Sequence, residues 1–159
     1  MNEVAIFMAK HLLIPLSFHK IIQARSYTVI VLASPTKKIA IYTEPATGKL
    51  LQMHLTDSEK IRPMTHDLIQ MILRGLQAKV MRVVLHDLQE NVYFAKLFLH
   101  QVYKTENNLQ NATNQPNSIQ ESIVEIDSRP SDAIALAILS QANLFCTHEV
   151  HEKAIHIEE

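Results

Sequence analysis

The sequence predicts a single α+β domain, and three observations carry that expectation. The chain has 159 residues, 47% of them hydrophobic and 19% charged, which suits one buried core and is too apolar for a disordered segment. Short β-branched runs bounded by turn residues are interleaved with segments of helical period. Polar side chains of catalytic type gather at two helix starts, Arg62-Pro63-Met64-Thr65-His66-Asp67 and Asp127-Ser128-Arg129-Pro130-Ser131-Asp132.

The elements follow in order. Leu12-Leu13-Ile14-Pro15-Leu16 reads as an edge strand, because Pro15 cannot donate to a ladder. Tyr27 to Ala33 is β-branched, Ser34-Pro35-Thr36-Lys37 is a turn, and Lys38 to Thr43 is the return strand. Pro45 and Gly48 break the chain, and Leu50, Leu51, His54 and Leu55 mark a short helix. A clearer helix follows, with Pro63 tolerated near its start and Thr65 as its N-cap. Leu68, Ile72, Gly75 and Leu76, with Met71 beside them, form its expected core face.

Lys79 to Leu88, the tight turn Gln89-Glu90-Asn91 and Val92 to Val102 then read as a hairpin, since Asn91 tolerates the left-handed conformation. Tyr93, Ala95, Leu97 and Leu99 alternate onto one face. Lys104 to Ser122 is rich in Asn and Gln and nearly free of large apolar residues. It reads as a mobile loop, centred on 104–120, inserted between two strands. Ile123 to Ile126 resumes as a strand. Pro130 to Ala142 is apolar nearly all round, as in a helix buried on several sides. Leu144 to Thr147 is a short strand and Glu149 to Ile155 a short helix.

The formal net charge of −1 gives a polyanion no long-range attraction, so nucleic-acid binding must rest on local groups. The single cysteine, Cys146, cannot form an internal disulfide and reads as a small buried hydrophobe. The apolar run from Val4 to Leu16 is broken by Lys10 and His11, lacks the marks of a secretory leader, and is too short to span a bilayer. A cytoplasmic protein without a membrane partner is the expectation.

Helix starts present free N–H groups and a partial positive charge, which attract phosphate. At the first start, Arg62 adds a planar cation, His66 exchanges protons near neutral pH, and Asp67 can orient it. Arg, His and Asp together suit phosphodiester cleavage by acid–base transfer and charge stabilisation. Capping explains Thr65 and Asp67 equally well, and Arg62 can pair with Asp67. At the second start, Asp127, Arg129, Ser131 and Asp132 adjoin a helix of core type, so their charges need partners or a cleft. A cap by Ser128 or Asp132 with an Arg129 ion pair is the structural explanation. Asp127 and Asp132 together can hold a hard cation such as Mg²⁺, although nothing in the spacing requires it.

Arg62-Pro63 and Arg129-Pro130 form a faint repeat that suggests two similar, converging helix starts. Of the 9 histidines, the densest group is His148, His151 and His156. Its spacing departs from the i, i+4 zinc helix, so a solvated C-terminal helix is expected. With only 2 glycines, no phosphate-cradling loop is present.

The ordered segments Arg62-Pro63-Met64-Thr65-His66-Asp67-Leu68, Val83-Val84-Leu85-His86-Asp87-Leu88 with Val92-Tyr93-Phe94-Ala95, and Ile126-Asp127-Ser128-Arg129-Pro130-Ser131-Asp132-Ala133-Ile134-Ala135-Leu136-Ala137 resemble the bifunctional nuclease domain family. The resemblance runs from about residue 12 to 154 and is firm over 62–154, within one domain spanning 1–159. It implies a compact α+β fold with a mixed or antiparallel sheet and two to four packed helices, often as a homodimer. It also implies activity on DNA and RNA. The matched polar positions are Arg62, Thr65, His66, Asp67, Asp127, Arg129, Ser131 and Asp132; their side-chain chemistry, rather than the resemblance, suggests catalytic roles for His66, Asp67 and Asp132 and phosphate binding for Arg62, Thr65, Arg129 and Ser131. Asp127 and Asp132 are the candidate ligands for a divalent cation such as Mg²⁺. The chain departs from the family pattern upstream, where the usual glutamate position falls on Thr47 and Pro45 alters the helix start; Glu44 is the nearest carboxylate.

Three readings follow: a nuclease cleaving DNA or RNA with little sequence preference, a non-catalytic dimeric module binding an anionic ligand or partner protein, and a purely architectural role for both motifs. A cleft exposing His66 beside Arg129 separates the first from the others.

Overall fold

The computed structural model describes residues 12–59, 61–105 and 118–158. Its elements are β1 (Leu13–Gln23), β2 (Thr28–Ala33), β3 (Lys38–Thr43), α1 (Pro45–Leu55), α2 (Thr65–Gly75), β4 (Ala78–Gln89), β5 (Val92–Thr105), β6 (Ser118–Ser128), α3 (Pro130–Ser140), β7 (Asn143–Thr147) and α4 (His148–Lys153). The strands form one mixed sheet in the order β3-β2-β1-β7-β4-β5-β6. Among the described strands, only the β4–β7 pair is parallel. This is the expected α+β class. The expected loop over 104–120 is narrower, because 104–105 and 118–120 belong to β5 and β6; 106–117 lie outside the described residues.

The two hairpins form where turn chemistry asks for them. Ser34 closes the β2–β3 turn with a backbone bond to the Lys37 carbonyl at 2.8 Å. Glu90 and Asn91 both take positive φ, 47° and 66°, which matches the twist of the strands they join. The four helices among the described residues share one core cluster with one face of the sheet, built from Ile30, Leu32, Ile39, Leu51, Val83, Leu85, Leu97, Ile134 and Val150 among others. Phe98 and Val84 anchor a smaller cluster with Leu13, Met81, Ile123 and Phe145. α3 lies against α1, α2 and strands β3, β4, β5 and β7. Its residues Ala133 to Ala137 are all buried, as its all-round apolar sequence predicts.

Several expectations need correction. β1 is interior in the sheet rather than an edge. Around Pro15 it pairs only with β7, and its pairing with β2 begins at Ser17. A one-sided stretch tolerates a residue without an N–H. Pro45 and Gly48 do not break the chain. Pro45 is the first helical residue of α1, where its missing N–H costs nothing, and Gly48 lies inside that helix.

The core face expected for α2 is its exposed face. Leu68, Met71, Ile72 and Leu76 are 51–57% exposed. His66, Ile69, Gln70 and Leu73 turn inward instead, at the same helical spacing; Ile69 and Leu73 pack on the core, and Gln70 Nε2 donates to Ser140 Oγ at 2.9 Å. Two polar residues on the inward stripe hid it from a count of apolar positions.

The C-terminal helix is not the solvated element expected. Val150 and His151 are buried, and His151 Nε2 lies 2.9 Å from Ser34 Oγ in the β2–β3 turn. Burial, with Lys37 nearby, lowers the His151 pKa. Ser34 Oγ also donates to the Lys37 carbonyl and accepts from the Thr36 and Lys37 N–H groups, so it is a turn clamp rather than a nucleophile. Cys146 is fully buried, and that burial pushes its thiol up to about 11.

The two glycines make opposite predictions. A Cβ on Gly48 would run into Oγ1 and Cγ2 of buried Thr28, whereas one on Gly75 meets open space. Gly48→Ala is expected to lose about 1–3 kcal/mol by overpacking, partly recovered by Thr28→Ala. Gly75→Ala is expected to gain up to about 1 kcal/mol from helix propensity. Denaturant midpoints of the variants check both signs.

Candidate active site at three helix starts

Three helix N-termini meet on one side of the core. α1 begins after Glu44, α2 after Met64 and α3 after Arg129. In each, the third helical residue turns back toward the cap. Thr47 donates to Glu44 Oε1 at 3.0 Å. Asp67 accepts from the Met64 N–H at 2.8 Å. Asp132 receives Arg129 Nε at 2.6 Å and Nη2 at 2.9 Å. In α2 the contact satisfies a backbone N–H, whereas in α1 and α3 it joins the side chain to that of the cap residue; in each it fixes the side chain's orientation.

Side chains then link the three starts. Arg129 Nη2 reaches Glu44 Oε1 at 3.4 Å, and Asp132 Oδ1 lies 3.5 Å from His66 Nε2. The result is a chain of alternating charge, Glu44–Arg129–Asp132–His66. Arg129 is 65% exposed, while the His66 side chain is 13% and Asp132 28% exposed. A hydrogen bond at its own backbone, then one from Thr43, holds the Glu44 carboxyl at about 2; Thr47 and Arg129 add to this and partial burial opposes it. Glu44 is therefore an anion at any working pH, and the bonds to Asp132 raise the pKa of Arg129 further.

A cavity of about 870 Å³ opens beside this chain. Glu44, Arg129 and Ser131 line its near end, and Tyr42, Val92, Phe94, Asp127, Ile155 and Ile157 line its walls. Arg129 borders this cavity but His66 does not line it, so it is not the expected cleft exposing His66 beside Arg129.

The model of the bifunctional nuclease domain matches residues 29–159. The chain belongs to the bifunctional nuclease domain family. A search of curated proteins finds no match. The family match reaches further upstream than the segments from Arg62 onward and takes in β2, β3 and α1, hence Glu44.

The structure brings together His66, Arg129 and Asp132 of the residues expected in the site. Ser131 lines the cavity and Asp127 faces it from β6, away from the His66 contact. Arg62 is exposed in the segment before α2. Thr65 is the first helical residue rather than the N-cap, which is Met64; the cap of α3 is Arg129 rather than Ser128 or Asp132. Asp67 accepts from the Met64 N–H, and the carboxylate 3.5 Å from His66 Nε2 is that of Asp132.

The residue that sequence reasoning underweighted is Glu44. The signal was legible in Thr43-Glu44-Pro45, which matches Ser128-Arg129-Pro130: a strand end, a charged cap and a proline at the first helical position. This pair, rather than the two Arg-Pro dipeptides, is the structural repeat. Thr47, where the family pattern suggests a glutamate, is buried and supplies a hydroxyl to Glu44.

The donor set as arranged does not suit a divalent cation. Asp132 is bound to Arg129 through both oxygens, and Glu44 takes two hydroxyls and the same arginine. The positive charge between the carboxylates is supplied by Arg129. Among the described residues no three His, Cys, Asp or Glu side chains gather to hold a metal ion. Among the described residues, too, no helix is long and apolar enough to cross a membrane.

Exposure separates function from architecture at Arg129. A solvent-facing ion pair contributes less than about 1 kcal/mol, whereas breaking a buried one costs about 3–5 kcal/mol. Arg129→Ala is expected to fall in the first class. Thermal and denaturant unfolding of the variant measures this, and a loss in the second class would mark the pair as architectural.

Proposed function

We propose that this chain is a nuclease that hydrolyses phosphodiester bonds of DNA or RNA with little sequence preference. The observation that carries this reading is His66 facing Asp132 at 3.5 Å, with Asp132 held by the exposed guanidinium of Arg129 at the mouth of a cavity. Family membership supports the same reaction class.

Asp132 favours the tautomer with the proton on Nε2, which leaves Nδ1 of His66 free to accept one. His66 then takes a proton from attacking water as it adds to phosphorus, and returns it to the leaving oxygen. Arg129 binds a non-bridging phosphate oxygen and offsets the charge gained at phosphorus. Free N–H groups at the starts of α2 and α3 reinforce it. Glu44 restrains the guanidinium from the other side. Contacts of this kind address phosphate rather than bases, which accounts for little sequence preference.

His66→Ala and Asp132→Ala are expected to lower cleavage of DNA and RNA about 100-fold or more, the usual contribution of a positioned acid–base group. Unchanged cleavage by folded variants rejects the assignment.

The expected homodimer is carried forward as part of the proposal. Its support is the exposed apolar stripe Leu68, Met71, Ile72 and Leu76, which share one face of α2 by their helical spacing. Light scattering of Leu68→Glu/Ile72→Glu is expected to show a monomer where the parent is a dimer; a monomeric parent removes this part. The non-catalytic module would use the same stripe, but it leaves the exposure of Arg129 beside His66 without a purpose.

A further inference from the structure

The cavity beside the helix starts is too apolar for the phosphate chemistry alone. Its walls carry Ile41, Val92, Ile155 and Ile157 together with the rings of Tyr42, Tyr93 and Phe94. Tyr42 is 70% exposed and Phe94 38%. Each of these rings is backed by another. Tyr27 stands 5.7 Å from Tyr42, centroid to centroid, and His86 stands 6.5 Å from Phe94. The rings are therefore held in place while their outer surfaces remain open.

The charges on the lining cancel. Glu44 and Asp127 oppose Arg129 and Lys153, and Lys153 is already paired with Glu149 at 2.6 Å. A duplex needs a row of cations tracking its two backbones, and this lining offers none. An unpaired base needs the reverse: a flat aromatic surface, an apolar wall and one cation at the entrance for its phosphate. Arg129 is that cation: although Asp132 and Glu44 engage its Nε and Nη2, it is 65% exposed, and it belongs both to the cavity lining and to the chain leading to His66. The volume lies within the range of about 300–1,000 Å³ typical of small-ligand pockets, suited to a nucleotide or two.

We infer that this cavity is a base-binding subsite, in which unpaired bases of a single-stranded nucleic acid stack on Tyr42 and Phe94 while Arg129 holds the adjoining phosphate next to His66. The inference rests on the nuclease reading and narrows its substrate to single strands. Paired bases cannot enter, so a duplex must first open.

The test uses the full chain carrying His66→Ala, so that substrate is not consumed, and reads binding by fluorescence anisotropy. The probes are a labelled mixed-sequence single strand, the same strand annealed to its complement, and a strand of equal length built from abasic linkers. The single strand is expected to bind at least tenfold tighter than either other probe. Adding Tyr42→Ala or Phe94→Ala is expected to weaken single-strand binding about tenfold each, the effect of losing one stacked base. Tyr42→Phe keeps the ring and is expected to bind as the parent does. Circular dichroism confirms that the variants are folded.

Equal binding of the abasic strand, equal binding of the duplex, or no effect of either alanine overturns the subsite. These outcomes are independent of catalysis. A parent that binds single strands through Tyr42 and Phe94 yet cleaves nothing would reject the nuclease reading and leave the subsite standing.

Discussion

Burial of α3 is the constraint on which the rest of this structure depends. Ala133 to Ala137 have almost no solvent contact, and the helix touches α1, α2 and four strands. A helix packed on so many sides cannot slide or rotate without opening the core. Its first turn is therefore fixed relative to β3, from which Glu44 comes, and relative to α2, which carries His66. The position of Arg129 and Asp132 against Glu44 and His66 follows from packing more than from the ion pairs, which are too exposed to hold the helices in place.

The candidate site is built from ordinary helix-start chemistry. A side chain at the third helical position turning back to the cap is a common way to satisfy open backbone groups. Here Asp67 does so by accepting from the Met64 N–H, while Thr47 and Asp132 turn back to the side chains of the cap residues Glu44 and Arg129. Because three such starts converge, the same side chains lie within reach of one another and form an alternating chain of charge. Asp132 is thus held by Arg129 at its own helix start while it stands 3.5 Å from His66; a carboxylate restrained in this way keeps its orientation. Asp67 differs, since it faces its own backbone.

Much of the fold could be read from the residues because local rules and global fold agree there. Both hairpins, the buried helix from Pro130 and the alternation of Ala95, Leu97 and Leu99 appear where the sequence places them. Where the reading failed, a polar residue had found a partner distant in sequence. Gln70 is turned inward by Ser140 and His66 by Asp132, so α2 lies with its more apolar stripe outward. His151 is buried by the turn at Ser34. Pro15 escaped its edge assignment because β1 changes partners along its length.

The sequence by itself determined the class of the fold, the helix from Pro130, the two hairpins and the candidates His66, Arg129 and Asp132, because each is encoded within a few neighbouring residues. The tertiary structure alone decided which candidates meet. It joined Glu44 to Arg129 across 85 residues of separation, turned Asp67 to its own helix start, and set aromatic rings from β3 and β5 beside the guanidinium. Helix starts announce themselves locally, but their convergence is set by which faces the core buries, and that depends on contacts between residues far apart in the chain.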